Sequence, residues 1–242
     1  MQHVSIHNLL TLANVPNART ITSMTESVPF PWAVVIPVKV LARAKSRLAA
    51  LAGTRRGELA LALASDTVAA VLACREVSHV LVVTDDLVAG REVSVLGASV
   101  VPDEPGDGLN AALAHGASVA GLRWPDTGIA ALSADLPALR PAELGRALRA
   151  AAAWPSAFVA DAQGSGTTLY TVAPGASFQP RFGLGSRALH ASGGTVELDL
   201  AGVPGLRRDV DTPADLREAV TLGAGARTAA LAGELLRDFS RG

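Results

Sequence analysis

The sequence has 242 residues, a formal net charge of -1 and no basic block, which argues against nucleic-acid and membrane-surface partners. Nearly half of the residues are apolar, few are aromatic, and no apolar run approaches the ~18 residues that span a membrane. The length suits one large domain, and the single cysteine, Cys74, permits no internal disulfide, which predicts a cytoplasmic protein.

Residues 1–30 differ in character from the rest of the chain. They are polar and weakly periodic, and they lack the basic start and apolar core of a secretory signal. We interpret them as a flexible N-terminal tail or as an over-long reading frame, with Met24 as a later start. Residues 31–242 are expected to form a single domain.

From residue 33 onward, short apolar runs alternate with longer segments of helical periodicity. The predicted strands are 33–38, 79–86, 98–103, 127–137, 157–162, 167–173 and 195–201. The predicted helices are 54–74, 108–121, 141–153, 186–193, 212–223 and 226–239. This alternation predicts an α/β fold with a Rossmann-like, doubly wound and mostly parallel sheet.

The residues that follow the predicted strands favour a site at one edge of this sheet. Lys39 follows the first strand, Asp85 and Asp86 follow the second, residues 103–107 follow the third, and Asp135 follows the fourth. In doubly wound sheets, ligands bind beyond the carboxyl ends of the strands. A lysine and several carboxylates at that edge predict a site for a metal–phosphate complex.

The most specific motif is LRRDVDTPADLREA, residues 206–219. Asp209 and Asp211 are two residues apart in an extended segment, so their carboxylates point the same way, ~7 Å apart along the backbone. Carboxylates placed in this way can share Mg²⁺ ions. Capping of the next helix by Asp211 is the alternative, but it explains only one aspartate, and Thr212 is already a suitable N-cap with Pro213 at the first helical position.

Asp135 lies at the end of a predicted strand, in the segment ALSADLP. An ordinary turn aspartate is the alternative interpretation. Together with Asp209 and Asp211 it becomes a candidate metal ligand, because two-metal phosphoryl chemistry needs carboxylates that converge from separate strands.

The segment PGDGLNAAL, residues 105–113, is a candidate anion site. Gly106 and Gly108 flank Asp107 immediately before a predicted helix, where glycines allow close approach of a ligand and the helix N-terminus favours anions. The alternative is an ordinary turn, with Asp107 or Asn110 near a helix cap.

Two further turns, GSGTT (164–168) and FGLGSRAL (182–189), combine glycine with hydroxyl residues. The second reaches Ser186 at a predicted helix start, where N–H groups and a hydroxyl could hold a small phosphate or carboxylate. Simple capping by Ser186 is the alternative. The five histidines show no metal-ligand spacing, no Ser/His/Asp set is apparent, and GxGxxG is absent after the first strand, which disfavours a dinucleotide oxidoreductase.

The segments IPVKVLARAKSRLA, LSADLP and RRDVDTPADL together resemble the nucleotidyltransferases of the glycosyltransferase-A-like, MobA-like fold, the nucleotide-diphospho-sugar transferase type. More narrowly, IPVK…AKSRL, GDGLNAAL, GTT and FGLGS resemble the phospholactate/phosphoenolpyruvate guanylyltransferase family of deazaflavin coenzyme F-420 biosynthesis. The similarity covers about residues 32–222. The loop after the first strand lacks the glycines of the wider superfamily, a departure that the narrower family shares.

Side chains must therefore do more of the phosphate binding in that loop. Lys39 and Lys45 are the only two lysines of the chain. An ammonium is a compact, flexible point charge that suits a triphosphate, whereas the planar guanidinium fork suits bidentate partners.

The resemblance implies transfer of GMP from GTP to the phosphate of phosphoenolpyruvate, giving enolpyruvyl-diphospho-guanosine and pyrophosphate. A downstream transferase of the same pathway is an implied partner. The residues implied are Lys39, Lys45 and Arg47 as catalytic groups; Gly106, Asp107, Gly108 and Asn110 for the nucleotide; Thr168, Gly183 and Ser186 for the acceptor; and Asp135, Asp209 and Asp211 as Mg²⁺ ligands.

Alternatives remain open at this level. The acceptor could be 2-phospho-L-lactate, and phosphoenolpyruvate is preferred because the lysine-poor composition is typical of actinobacteria, whose branch of the family is associated with it. A cytidylyl- or molybdopterin-type transferase would share the fold. A non-catalytic nucleotide-binding module is the alternative from another functional class.

Overall fold

The computed structural model describes residues 29–41 and 45–239, and the predicted tail up to residue 28 lies outside the described residues. Within them, seven strands form one sheet in the order β3-β2-β1-β4-β6-β5-β7. The strands are β1 Trp32–Pro37, β2 Val77–Val83, β3 Ser99–Val101, β4 Gly128–Leu132, β5 Ser156–Ala160, β6 Thr167–Val172 and β7 Val196–Glu197. Every pairing is parallel except those of β6, which runs antiparallel to β4 and β5. The predicted doubly wound, mostly parallel sheet is confirmed.

Helices cover both faces of the sheet. Those in the described part of the chain are α1 Ala49–Ala52, α2 Arg56–Leu72, α3 Leu87–Leu96, α4 Leu109–Arg123, α5 Pro141–Ala151, α6 Ser186–Ser192, α7 Pro204–Arg207, α8 Pro213–Leu222 and α9 Ala226–Phe239. Short 3-10 turns at Ser46–Leu48 and Gly53–Arg55 precede α1 and α2. None of the described helices has the length and apolar character needed to cross a membrane.

Several predicted strands are shorter in the structure, and the helices α1, α3 and α7 were not predicted. β2 ends at Val83, and Asp86, which the pattern placed at the strand end, instead caps α3. No apolar stripe marks α3 in the sequence, because apolar residues also occupy its exposed positions Leu87, Val88 and Val95. The predicted strand 195–201 is reduced to β7, since only two of its residues pair with β5.

β1 is buried on both faces, which explains its continuous apolar sequence. Val34 and Ile36 belong to a core cluster that includes residues of α2, α3 and α5. Ala33 and Val35 belong to a second cluster, on the side of α4. β1 lies between β2 and β4. The chain runs from β1 to β2 and β3 on one side and then crosses to β4 on the other side. The carboxyl end of β1 therefore lies at the switch point where such sheets bind ligands.

α4 approaches the sheet most closely at Gly116. A methyl group added there would lie 2.5 Å from Val35 Cγ1 and 2.6 Å from Val83 Cγ2. At Gly121 of the same helix, an added methyl group would lie 3.8 Å from Ile129 Cδ1, an ordinary contact. The close packing of α4 on β1 and β2 therefore depends on the absence of a side chain at Gly116.

We expect Gly116→Ala to destabilise the protein, because the cost of overpacking, ~1–3 kcal/mol, exceeds the ~1 kcal/mol gained in helix propensity. Gly121→Ala is the matched control and should keep or slightly raise the melting temperature. Thermal unfolding of both variants measures the difference. Equal melting temperatures for the two variants would show that α4 does not pack on the sheet as described.

Candidate active site

A cavity of about 460 Å³ lies at the carboxyl ends of β1 and β4. Its polar lining consists of Lys39, Lys45, Arg47, Ser133, Asp135 and Asp211. Leu109, at the start of α4, and Phe182, before α6, line it as well. The sheet edge predicted from the strand ends is thus a concave site, with cationic and anionic side chains in one wall.

Lys45 and two of the predicted metal ligands form the centre of this site. The Nζ atom of Lys45 contacts Asp135 Oδ2 and lies 3.2 Å from Asp211 Oδ1. Arg47 Nη1 lies 3.7 Å from Asp211 Oδ2 at a more exposed position. Lys45 has a positive φ of 54°, which no other non-glycine residue in the described part of the chain adopts. Its ammonium is therefore placed between two carboxylates that come from separate segments.

Asp209 lies near Asp135 and Asp211 but is not among the residues that line the cavity. Burial, followed by the nearby charges of Asp135 and Asp211, raises the pKa of Asp209 to about 7. No three His, Cys, Asp or Glu side chains of the described residues are arranged to hold a metal ion directly, and Lys45 lies between two of the predicted ligands. Lys45 thus bridges Asp135 and Asp211, and Asp209 lies close enough to both for their charges to raise its pKa.

The backbone around Asp135 is held by buried hydrogen bonds. The N–H of Val210 donates to the carbonyl of Asp135 at 3.1 Å, which ties the two acidic segments together. The next N–H, that of Leu136, donates to Thr67 Oγ1 at 3.0 Å, and the Thr67 hydroxyl donates to the carbonyl of Leu63 at 2.8 Å. Thr67 lies inside α2 and has no sequence signal that marks it as a support for the site.

The segment after Asp211 confirms the predicted helix start. Thr212 is the N-cap of α8 and forms a capping box with Asp215, and Pro213 follows at the first helical position. Asp215 also accepts a hydrogen bond from the N–H of Asp211 at 3.2 Å. Since Thr212 and Asp215 cap the helix, the carboxylate of Asp211 is left free to face the cavity.

The aspartates that follow β2 support loops instead of lining the cavity. Asp86 accepts hydrogen bonds from Val88 and Ala89 at the start of α3, and from the N–H of Leu41 at 2.9 Å. Asp85 accepts a hydrogen bond from the N–H of Asp103 at 2.9 Å. Asp86 thus holds the backbone at Leu41, two residues after Lys39, a role that its position at a strand end did not indicate.

The segment predicted to bind the nucleotide is exposed before α4. Gly106 and Gly108 have φ values of 56° and 89°, a region that side chains rarely adopt. Asp107 between them is exposed. Asn110 differs from these residues, because its side-chain amide is hydrogen-bonded to the backbone of Phe182 through both of its polar atoms.

The predicted acceptor residues lie on neighbouring segments. Thr168 is in β6, Gly183 precedes α6, and Ser186 is the first residue of α6. The N–H of Ser133, the residue after β4, donates to the carbonyl of Thr168 at 2.9 Å, so Thr168 adjoins the segment that carries Asp135. The hydroxyls of Thr168 and Ser186 are buried and have no hydrogen-bond partner among the described residues.

Comparison with known proteins agrees with this geometry. Residues 32–238 match the family described as "Guanylyl transferase CofC like". The chain belongs to this family. It is 63% identical over 204 residues to the phosphoenolpyruvate guanylyltransferase of Thermomonospora curvata, which covers 84% of this chain and 90% of that protein. It is 61% identical over 207 residues to the protein of the same name from Streptomyces coelicolor, covering 85% of this chain and 97% of that protein.

A solved structure confirms the fold type of this CofC-like chain. The crystal structure of a protein described as a nucleotide-diphospho-sugar transferase, from Desulfovibrio desulfuricans, superposes with a TM-score of 0.66. The superposition covers 86% of this chain and 97% of the Desulfovibrio protein, at 16% sequence identity. The likeness supports the predicted glycosyltransferase-A-like sheet.

His190 is a buried residue of the CofC-like chain that the sequence did not single out. Its Nε2 atom accepts a hydrogen bond from the N–H of Arg181 at 3.0 Å, and its Nδ1 atom lies 3.0 Å from Thr167 Oγ1. The ring stacks on Tyr170 with a centroid distance of 4.8 Å. Burial, with a smaller contribution from the charge of Arg181, lowers the pKa of His190 from 6.5 to about 4.

This lowered pKa predicts a pH-dependent stability. The unfolded chain takes up the histidine proton near pH 6.5 and the folded chain only near pH 4, so stability from neutral His190 is present above pH 6.5 and is lost as the pH falls toward 4. Between pH 7.5 and 5, the wild type should lose ~2 kcal/mol more free energy of unfolding than His190→Gln. Urea unfolding at several pH values measures this difference, and parallel pH profiles would contradict the prediction.

Proposed function

We propose that the chain transfers the guanylyl group of GTP to the phosphate of phosphoenolpyruvate, forming enolpyruvyl-diphospho-guanosine and pyrophosphate. Two relatives more than 60% identical carry the name of this activity. The observation that carries the proposal at residue level is the contact of Lys45 with Asp135 and Asp211 in the cavity at the carboxyl edge of the sheet, with Asp209 nearby. The reaction fits coenzyme F-420 biosynthesis, as the family resemblance implies. A cytoplasmic location stays a prediction.

Asp135, Asp209 and Asp211 are the proposed ligands of a divalent cation, with Mg²⁺ as the expected ion. Their oxygen donors suit Mg²⁺, and a nearby cation would offset the burial of Asp209 and the charges of Asp135 and Asp211, which together raise the pKa of Asp209. When bound, such an ion lowers the negative charge on the α-phosphate and helps to orient the two substrates.

Lys39, Lys45 and Arg47 are the proposed cationic groups for the triphosphate. All three line the cavity beside Asp135 and Asp211. A phosphate oxygen of the acceptor forms a new bond to the α-phosphorus of GTP, while the bond from that phosphorus to the bridging oxygen of the β-phosphate breaks. Lys45 and its neighbours stabilise the charge that develops on the departing pyrophosphate. The acceptor phosphate is already ionised near pH 7, so the chain needs no general base.

Thr168, Gly183 and Ser186 are the proposed acceptor-binding residues. The unpaired, buried hydroxyls of Thr168 and Ser186 support this assignment, because such groups are costly unless a ligand completes their hydrogen bonds. Gly106, Asp107 and Gly108 are the proposed contacts of the nucleotide, with Asn110 beside them.

The other nucleotidyltransferase reactions of this fold differ in their nucleotide. Release of pyrophosphate from GTP, and not from ATP, CTP or UTP, in the presence of phosphoenolpyruvate distinguishes the proposed reaction from a cytidylyl transfer. Binding of GTP without turnover for any phospho-acid would instead favour a non-catalytic nucleotide-binding module.

The carboxylates are tested by Asp135→Asn and Asp211→Asn. Each variant should keep the fold and lose a factor of ~10² or more in kcat, as when a group that stabilises transition-state charge is removed. Asp126→Asn, at an exposed turn after α4, is the control. Steady-state pyrophosphate release measures the effect, and near wild-type turnover in either site variant would remove that aspartate from the mechanism.

The shape of the cation at position 45 is tested by Lys45→Arg and Lys45→Met. Because the ammonium lies between two carboxylates, the larger planar guanidinium should fit poorly, and both variants should lose activity although only one loses charge. Kinetics with GTP at saturating acceptor separate the two effects. Wild-type kinetics in Lys45→Arg would reduce the role of Lys45 to its charge alone.

The acceptor is tested by measuring kcat/KM for phosphoenolpyruvate and for 2-phospho-L-lactate at fixed GTP and Mg²⁺. Both acids carry a carboxylate and a phosphate on adjacent positions, and they differ in a small apolar part, which is worth only ~1–3 kcal/mol in discrimination. We expect phosphoenolpyruvate to have the higher value. A clear preference for 2-phospho-L-lactate would refute the acceptor assignment and leave guanylyl transfer standing.

A further inference from the structure

Asn110 forms a two-point hydrogen-bonded contact with the backbone of Phe182, a residue that lines the cavity. Its Nδ2 atom donates to the carbonyl of Phe182 at 2.9 Å, and its Oδ1 atom accepts from the N–H of Phe182 at 2.8 Å. A primary amide matches the donor and acceptor of a peptide backbone in this way, whereas a carboxylate lacks the donor and a methyl group lacks both. The contact joins two segments that are 72 residues apart in sequence.

The two joined segments are those proposed above for different substrates. Asn110 lies in the first turn of α4, directly after the nucleotide segment 106–108. Phe182 directly precedes Gly183 and the acceptor loop 183–186. Phe182 and Leu109, the neighbour of Asn110, both line the cavity. The contact therefore spans the boundary between the proposed nucleotide and acceptor sites.

His190 fixes the same loop from its other side. Nε2 of His190 accepts from the N–H of Arg181, so the ring proton is on Nδ1 and is donated to Thr167 Oγ1. Thr167 precedes Thr168, and Arg181 precedes Phe182. The Phe182 ring also meets the imidazole edge-on, with a centroid distance of 5.5 Å. A displacement of Phe182 is thereby linked to the strand that carries Thr168.

These hydrogen bonds leave the proposed ligand groups free. The bonds of Asn110 and His190 go to backbone groups or to Thr167, while the hydroxyls of Thr168 and Ser186 have no partner among the described residues. We propose that Asn110 is a positioning residue that couples the nucleotide segment to the acceptor loop, so that GTP and the acceptor acid bind cooperatively. This inference rests on the proposed guanylyl transfer.

Binding of a non-reactive GTP analogue with a methylene group between the α- and β-phosphorus tests this coupling. Its affinity is measured by calorimetry with Mg²⁺, in the absence and in the presence of saturating phosphoenolpyruvate. The ratio of the two affinities is the coupling factor, which we expect to be about tenfold in the wild type, within the range of ordinary coupling between sites.

Asn110→Ala should reduce the coupling factor toward 1, since the hydrogen bonds that link the two segments are lost. Ser118→Ala, at an exposed position of the same helix, is the matched control and should keep the wild-type factor. Asn110→Asp, which retains the acceptor for the Phe182 N–H, provides the same comparison should the alanine variant fail to fold.

A merely structural role for Asn110 would lower the melting temperature and both affinities in proportion, with the coupling factor unchanged, and that result would overturn the inference. A wild-type coupling factor of 1 would also overturn it. Wild-type protein that binds neither the analogue nor phosphoenolpyruvate would instead refute the proposed function itself, which distinguishes the two failures.

Discussion

The contact between the Lys45 ammonium and the carboxylates of Asp135 and Asp211 is the interaction on which the rest of the site depends. Three aspartates lie near this edge of the sheet, and burial, followed by the charges of Asp135 and Asp211, raises the pKa of Asp209 to about 7. A cation between them is an electrostatic requirement of the arrangement. The ammonium meets it within the chain and belongs to the group that we propose for binding the triphosphate.

The fold brings these groups together by fixing the loops that carry them. β1 and β4 are neighbours, so the loops that follow them meet at one edge. Thr67 holds the backbone beside Asp135, Asp86 holds Leu41 in the loop before Lys45, and Asp215 holds the backbone of Asp211. Each contact fixes a loop to a helix, which is how a rigid scaffold positions side chains that lie on irregular backbone.

The features that could be predicted from the sequence are those that residues close together in the chain determine. The apolar run of β1 and the start of α8 at Thr212 depend on residues close in sequence, and both agree with the structure. The grouping of Asp135 with Asp209 and Asp211 rested on the need of two-metal phosphoryl chemistry for converging carboxylates, and the structure places Asp135 and Asp211 on either side of Lys45. α3 was missed because its exposed apolar residues hide the helical stripe, and β7 was overestimated because pairing with β5 decides its length.

Contacts between distant segments could not be predicted from the sequence. The place of Asn110 after a glycine-rich turn predicts a nucleotide contact, and the folded chain adds that its amide is hydrogen-bonded to the backbone of Phe182. Nothing in the sequence around His190 distinguishes it from an ordinary core histidine. Its hydrogen bonds to Arg181 and Thr167 form only when α6 packs against β6. Such residues act through tertiary geometry, which leaves no spacing motif.

Binding of Mn²⁺, followed by the electron paramagnetic resonance of the free ion in the absence of nucleotide, tests the central claim most directly. If the carboxylates form a cation site in which Lys45 supplies the internal charge, Asp211→Asn should bind Mn²⁺ more weakly than the wild type. Lys45→Met should bind it about tenfold or more tightly, because a like charge within contact distance is removed. Equal Mn²⁺ affinity in the wild type and both variants would contradict the account.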